Sequence, residues 1–527
     1  MADPVRIAAI DAGSNAIRLV IAQASSSSEI EILESVRAAV RLGHRAFTNR
    51  RLSRPTVDNA VRAFRRFRAL LDHYGVQRYR AVATSAAREV RNRDILLRRI
   101  RRAADIDLEV IGSSEEARLV RSAILAAVGE KLSPRLIVDL GGGSLEISLL
   151  RKRVPEKIWA LPLGGVRLIE TLGIYGALSE DECERVQHRV FSLLQSAWPH
   201  PPDLSSALAV ASGGNAEALA RITPGPKLNG MPSVNLRLLR ERLWGILGLN
   251  IEERMEELHV RRDRAEVIGV AAIVFAALSR WLRLRMMLVP GVGVKEGILW
   301  DLAAAHFSEL SPGAYAARFQ PLLREARRVA GRFHCDAPHA EHIRKLAADL
   351  FDQLAGIHQL PYELRLSLEM AAILHEVGRA ISANSYHKHG EYIIRHAHMD
   401  GLSDADRVLI ASLIRYHGNS DPDPQHKLYS SLGPRRRKQV RALTAILRIA
   451  IALDHERRRA VQNVQVLAGR KEIRIRLYSS DRAPLRLAGL RRAAELFEKE
   501  FGYRVRFGRA RALPESEKSS TRAHRAA

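Results

Sequence analysis

The sequence predicts an α/β protein with a duplicated strand–turn–strand plan, followed by an all-helical stretch and a small α+β module. Three observations carry this. Residues 7–21 and Leu136–Leu150 share one layout: an apolar strand, an Asp, a small-residue turn with Ser, and a second strand. Their aspartates, Asp11 and Asp139, lie 128 positions apart, a plausible length for one half of an internal duplication. Strand signals then vanish from about Ala304 to Asp454, a region dense in histidine, and return between Asn463 and Phe507.

The elements follow in order. Val5–Ile10 is a β-branched run closed by Asp-Ala-Gly-Ser-Asn, and Ile17–Ala22 resumes the strand pattern, so the two read as a hairpin. A turn at Ser25–Ser28 precedes a strand near Ile30–Val36. Val57–Tyr74 has helical spacing, with Val61, Phe64, Phe67 and Leu71 on one side. A short strand is expected at Tyr79–Thr84, a helix at Arg91–Asp105 and a strand at Leu108–Ile111. Beyond the second hairpin, glycine turns Ala211-Ser-Gly-Gly-Asn215 and Pro290-Gly-Val-Gly-Val-Lys-Glu-Gly297 each follow a short strand. The last module reads as strands Val464–Leu467 and Glu472–Tyr478, a helix Leu490–Phe501 and a strand Tyr503–Phe507. The tail from 509 is polar and is expected to be disordered.

At 527 residues the chain is long enough for three or four domains. The boundaries expected are 1–125, 126–303, 304–458 and 459–508, with 509–527 as a tail. Lys+Arg 84 against Asp+Glu 58 leaves a net charge of +26, which attracts polyanions without saying which. Two cysteines, Cys183 and Cys335, exclude a disulfide scaffold and a zinc module built on four cysteines. The opening residues read as a strand rather than a signal peptide, and the apolar stretch Val267–Leu278 is too short to span a bilayer. A soluble cytoplasmic protein is expected, with no membrane partner. There is no aromatic–basic interleaving, recognition helix or zinc knuckle, so no specific nucleic-acid partner is expected.

The chemistry resides in the glycine turns. Glycine lets a backbone approach phosphate oxygens and aim N–H groups at them. Ser14 and Ser144 add hydroxyls, while Asp11 and Asp139 repel phosphate and make sense as partners of a bound Mg2+ or of water. One such loop is equally compatible with a plain hairpin; two in matched contexts, with the loops at Gly213 and Gly291, favour a ligand. Glu146 shares a strand face with Ser144 and Ser148. Arg88 follows a strand and a Thr84-Ser85 turn, where a fixed guanidinium can grip phosphate.

In order along the chain stand Ile10-Asp-Ala-Gly-Ser-Asn15, Ala83-Thr-Ser-Ala-Ala-Arg88, Glu115-Glu-Ala-Arg118 and Val138-Asp-Leu-Gly-Gly-Gly-Ser-Leu-Glu146. Leu163-Gly-Gly-Val-Arg-Leu168, Ala211-Ser-Gly-Gly214, Gly291-Val-Gly-Val-Lys-Glu-Gly297, His334-Cys-Asp336 and Leu374-His-Glu-Val-Gly378 follow. This series resembles the fold shared by actin, sugar kinases, acetate kinase and the heat-shock chaperone ATPases. Within that group it resembles the exopolyphosphatase / guanosine pentaphosphate phosphohydrolase (Ppx/GppA) family. The resemblance implies actin-like (ribonuclease H-like) duplicated α/β domains, an all-α HD-like domain, the small α+β module, and a homodimer.

By that resemblance Glu116, the second glutamate of its pair, is the expected base or orienting group for the attacking water. Asp139 and Glu146 are expected on the metal side, holding Mg2+. Phosphate contacts are expected from Asp11, Gly13, Ser14, Asn15, Arg88, Gly141, Gly142, Gly143, Ser144, Gly213 and Gly214. Three positions depart from the family pattern: Gly112-Ser113 reverses the usual Ser-Gly, Asn215 replaces Thr, and Lys295 replaces an arginine, losing its bidentate fork. In the helical region His339 or His342, the pair His375-Glu376 and Asp454 sit where an HD-type metal site would need ligands. Glutamate in the pair is expected to displace the metal, leaving a scaffold with structural histidines. Arg435–Arg437, in Gly433-Pro-Arg-Arg-Arg-Lys438, reads either as a polyanion contact or as a solvated loop. The favoured reaction is release of orthophosphate from the end of inorganic polyphosphate. The alternative is hydrolysis of the 5′-γ-phosphate of guanosine pentaphosphate (pppGpp), and a more distant one is a phosphotransferase of the actin-like group.

Overall fold

A computed structural model describes residues 4–309, 312–397, 399, 402–418, 420–469, 471–479 and 487–510. The chain divides into two compact units, Met1–Leu310 and Ser311–Ala527.

The first unit contains two sheets of the same design. Strands β1 (Val5–Ala12), β2 (Ile17–Ala24), β3 (Ile30–Ala38), β4 (Arg78–Ala83) and β5 (Leu108–Val110) are ordered β3-β2-β1-β4-β5. The first three pair antiparallel, whereas β4 and β5 run parallel to β1. β1 is central and buried at every position except Arg6, so it reads as a continuous apolar run and not as an alternating one. The crossover from β3 to β4 includes the helix Arg54–His73, which starts where the Ser53 hydroxyl accepts from the Thr56 amide. It buries Val57, Val61, Phe64, Phe67 and Leu71 along one stripe.

The second sheet repeats the plan. Strands β6 (Leu136–Leu140), β7 (Leu145–Arg151), β8 (Val154–Leu161), β9 (Ala209–Ser212), β10 (Ser233–Asn235) and β11 (Met286–Leu288) are ordered β10-β11-β9-β6-β7-β8. β6 to β8 form an antiparallel meander, β9 and β11 continue it in parallel, and β10 closes the far edge antiparallel. Each sheet has its own core. A third cluster joins Ile7, Ala9 and Val20 of the first to Ile137, Val210 and Leu288 of the second. It does so through Leu119, Val120 and Ile124 of helix Ser113–Val128 and Ile298 and Leu299 of helix Val294–Glu309. In both sheets the loops that follow the parallel strands carry the candidate site residues, where a parallel α/β sheet opens its crevice.

The second unit, among the described residues, is helical from Pro312 to Ala452 and ends in strands β12 (Val461–Ala468), β13 (Glu472–Ser479) and β14 (Arg504–Ala510). The helix Leu487–Phe501 crosses between β13 and β14, which pair parallel. One core serves the whole unit: Leu346, Met370, Leu409 and Ile446 of the helices pack with Ile473, Leu477 and Phe497.

Two readings are corrected. Of the two alternatives for Arg435–Arg437 the solvated loop falls: they lie in the first turn of the helix Pro434–Ala452, entered at Gly433 with proline at its start. There Arg436 reaches Gln439 and Asp406, and Arg437 donates to the carbonyls of Tyr429 and Ser430. Thr84-Ser85 is likewise no simple turn: Thr84 stands at the N-terminal boundary of the short helix Ser85–Glu89 that carries Arg88, with no capping bond from its side chain. Residues 511–527 of the polar tail lie outside the described residues. No helix among the described residues is long and apolar enough to cross a membrane.

Candidate active site

The two hairpins close identically. The Gly13 amide donates to the Ala16 carbonyl at 3.1 Å, and the Gly141 amide to the Ser144 carbonyl at 3.0 Å. Strand register sets Asp11 opposite Arg18 and Asp139 opposite Glu146. The same slot therefore holds a cation in one hairpin and a second carboxyl group in the other. Arg18 Nη1 lies 3.6 Å from Asp11 Oδ2.

The turns meet face to face. A Cβ on Gly142 would lie 2.9 Å from Ser14 Cβ and 3.6 Å from the Asn15 amide. At Gly143 a side chain would overlap Ser85 Oγ and the Phe47 ring, so only glycine permits this approach. The Ser14 and Ser85 hydroxyls share a 3.0 Å hydrogen bond, which ties the first turn to the helix bearing Arg88. Gly213 ends β9 at φ 89°, a conformation that favours glycine, and a Cβ there would sit 3.0 Å from Asp139 Oδ1. It starts the helix Gly214–Ile222, whose Asn215 amide group donates to the Leu140 carbonyl at 3.3 Å. The Arg264 guanidinium covers Gly214 and bonds Asn215 Oδ1.

The adjacent glutamates separate. Glu115 has a fully buried side chain held by Arg118 Nε at 2.7 Å and Arg80 Nη1 at 2.9 Å, with Arg118 also pairing Asp301. Glu116 faces the hairpins. Its Oε2 lies 3.4 Å from Arg88 Nη1, which also donates to the Ile111 carbonyl at 2.8 Å. Gly112, before this helix, has φ −76° and ψ 167°, ordinary extended values, so its exchange with Ser113 needs no special backbone. Lys295 pairs with its neighbour Glu296, which also accepts from the Gly293 amide at 2.8 Å.

Burial and mutual repulsion perturb the acids. Burial pushes the Glu116 carboxyl up to about 8, with Arg88 opposing and Asp139 and Asp11 adding to the rise. Burial raises Asp139 to about 6, the Ser212 hydroxyl pulling it down and Asp11 pushing it up. Asp11 is raised by burial, against Arg18 and Lys295. Glu146 is raised well above the ordinary range, first by burial and then by Glu116 and Asp139, while Ser144 and Arg88 offset only part. Four carboxyls thus sense one another in a water-poor site. Both Glu146 oxygens are buried without a hydrogen-bond partner of ordinary geometry. A buried carboxylate with unused oxygens beside a second and third carboxylate is a donor set suited to a hard divalent cation. The residues present therefore fit Mg2+.

Every residue expected at the site from Asp11 to Gly214 lies on these loops or beside them. Several participants escaped the sequence reading. Arg18 is visible only through strand pairing, and the part played by Ser85, already noted in its turn, only through its bond to Ser14. Ser212, inside the Ala211–Gly214 turn, bonds Asp139 and donates to the Val292 carbonyl at 2.8 Å, a role its motif did not reveal, and Arg264 comes from a distant segment.

A buried constellation of acids ringed by glycine-lined turns thus sits on a duplicated α/β frame. The profile of the Ppx/GppA phosphatase family matches residues 20–306, and that of the family's domain III matches residues 323–493. The chain belongs to the Ppx/GppA phosphatase family. A curated relative, guanosine-5'-triphosphate,3'-diphosphate pyrophosphatase of Vibrio vulnificus (strain YJ016), is 24% identical over 460 residues, covering 86% of this chain and 88% of its own. An exopolyphosphatase structure from Cytophaga hutchinsonii ATCC 33406 shares the fold at TM-score 0.50 and 23% identity, over 56% of this chain and 97% of that one. An Aquifex aeolicus Ppx/GppA family member covers 58% of this chain and 99% of its own, at 25% identity and TM-score 0.49.

Proposed function

We propose that this phosphatase hydrolyses the terminal phosphoanhydride of a linear phosphate chain, with pppGpp as the favoured substrate, giving ppGpp and orthophosphate. The observation that carries the reaction class is the meeting of two amide-lined hairpins with Glu116, whose carboxyl burial raises to about 8. The relative that matches across both parts of the chain bears the pyrophosphatase name, which favours the nucleotide. Polyphosphate is the second reading. The net charge of +26 supports it, because each added phosphate of a polymer gains another electrostatic contact.

In this mechanism the amides of Gly142 to Ser144 and of Gly213 and Gly214, with Ser14, Asn15 and Arg88, hold the terminal phosphoryl oxygens and fix their direction. Glu116 orients the attacking water and accepts its proton at a carboxylate oxygen. Arg88 holds Glu116 in place and lowers its pKa toward a working value. Asp139 and Glu146 would hold Mg2+, which when bound neutralises charge developing on the phosphoryl oxygens. Closure of the turns against each other excludes bulk water from the reacting phosphoryl group.

The test is a competition assay. With pppGpp and long-chain polyphosphate present together, orthophosphate release accompanied by ppGpp, with polyphosphate length unchanged, supports the nucleotide reading. Shortened polyphosphate with intact pppGpp supports the second. No orthophosphate from either overturns the reaction class.

A further inference from the structure

In the second unit, the helix Ala337–Gln353 contributes His339, and the end of helix Leu364–Leu374 contributes His375 and Glu376. All three are buried, and one donor atom from each lies within 4.8 Å of the other two. The imidazole rings sit 5.5 Å apart at 55°. Each ring spends Nδ1 on a fixed partner. His339 Nδ1 bonds Asp454 Oδ2 at 2.8 Å, and His375 Nδ1 donates to the Ala372 carbonyl at 2.8 Å. Asp454 is itself held by the Arg459 amide, 2.5 Å from Oδ1. This leaves Nε2 of both rings as lone-pair donors, the tautomer that metal-ligating histidines adopt when a carboxylate or carbonyl takes the other nitrogen. Arg379 and Arg457 both approach Glu376 most closely at Oε1, which leaves Oε2 for a ligand.

We propose that His339, His375 and Glu376 bind one divalent transition-metal ion of the zinc class, with Asp454 as the positioning partner of His339. Two imidazoles and one carboxylate make a three-ligand set that leaves a fourth position for water. Zn–N and Zn–O bonds are about 2.0–2.2 Å long, so one ion can bridge donors that lie within 4.8 Å of one another with small side-chain adjustments. Glutamate at position 376 reaches the ion where the sequence reading expected it to displace one. The two guanidiniums oppose a cation by charge, and the carboxylates of Glu376 and Asp454 balance them. A purely structural role predicts the same hydrogen bonds but no metal retention.

The test uses the full chain, stripped with a chelator and dialysed against Zn2+ alone, with the bound metal counted. The expected result is one Zn2+ per chain at sub-micromolar free ion, retained in Glu146→Gln. Affinity should fall by about a hundredfold or more in His339→Ala and His375→Ala, and tenfold to a hundredfold in Asp454→Asn, the range typical of lost outer partners. Equal Zn2+ binding in all variants, or none in the wild type, overturns the proposal. Co2+ loading of the unmutated chain guards against variants that fail to fold. Visible d–d bands of a four- or five-coordinate ion support the site, and the weak spectrum of hydrated Co2+ overturns it.

Discussion

Replacing Glu116 with glutamine should stabilise the first unit, and increasingly so as pH rises. The carboxyl goes from an ordinary 4.5 to about 8 because folding strips its water and sets it beside Asp139 and Asp11. A raised acid pKa means the unfolded chain ionises first, so native stability is lost as pH climbs from about 4.5 to about 8 and is level above that. At about 1.4 kcal/mol per pH unit, the penalty is about 1 kcal/mol at pH 5, about 3 at pH 7 and about 5 at pH 9. Glutamine has the same shape and no ionisation, so the stability gap between variant and wild type should open along that curve. The measurement is thermal unfolding of both proteins in chelator from pH 5 to pH 9, followed by a probe in the first unit. A gap that stays constant with pH would refute the claim that Glu116 is desolvated among other acids.

Other outcomes follow from the same geometry. Arg88→Ala removes the main influence lowering the Glu116 pKa, so the acid limb of kcat/KM should move to higher pH, with Arg88→Lys in between. In the wild type that limb should fall as pH drops through the region between about 8 and 6, where Glu116 and Asp139 titrate, and Mg2+ should shift it lower. Gly164→Ala should cost at least about 1–3 kcal/mol in unfolding experiments, because its Cβ would run into the backbone of Gly143 and Ser144. Raising salt should weaken polyphosphate binding along a straight log–log line, whereas a flat response would argue against a polyanion channel.

Much of this site was legible because its signals are local. Asp11 and Asp139 each stand between an apolar strand and a small-residue turn, and that pattern specifies a hairpin whatever surrounds it. Long-range partners were not legible in the same way. The allocation of Glu115 to an ion-pair network and of Glu116 to the site depends on Arg80, Arg118 and Asp301, the last 186 positions beyond Glu115. Arg264 reaches Asn215 across 49 residues, and His339 meets Asp454 across 115. Such contacts are set by packing and leave no periodic trace. The loop alternative at Arg435–Arg437 fell for a different reason. Gly433-Pro434 is a helix-start signal, and the run of like charges obscured it.

The most direct test of the account is initial-rate orthophosphate release by Glu116→Gln and wild type, on pppGpp and on polyphosphate, at saturating Mg2+. A positioned base contributes about a hundredfold or more, so the variant should lose at least that in kcat on the substrate used, with KM little changed. Turnover within a few fold of wild type would contradict the assignment of the water-activating role to this carboxyl.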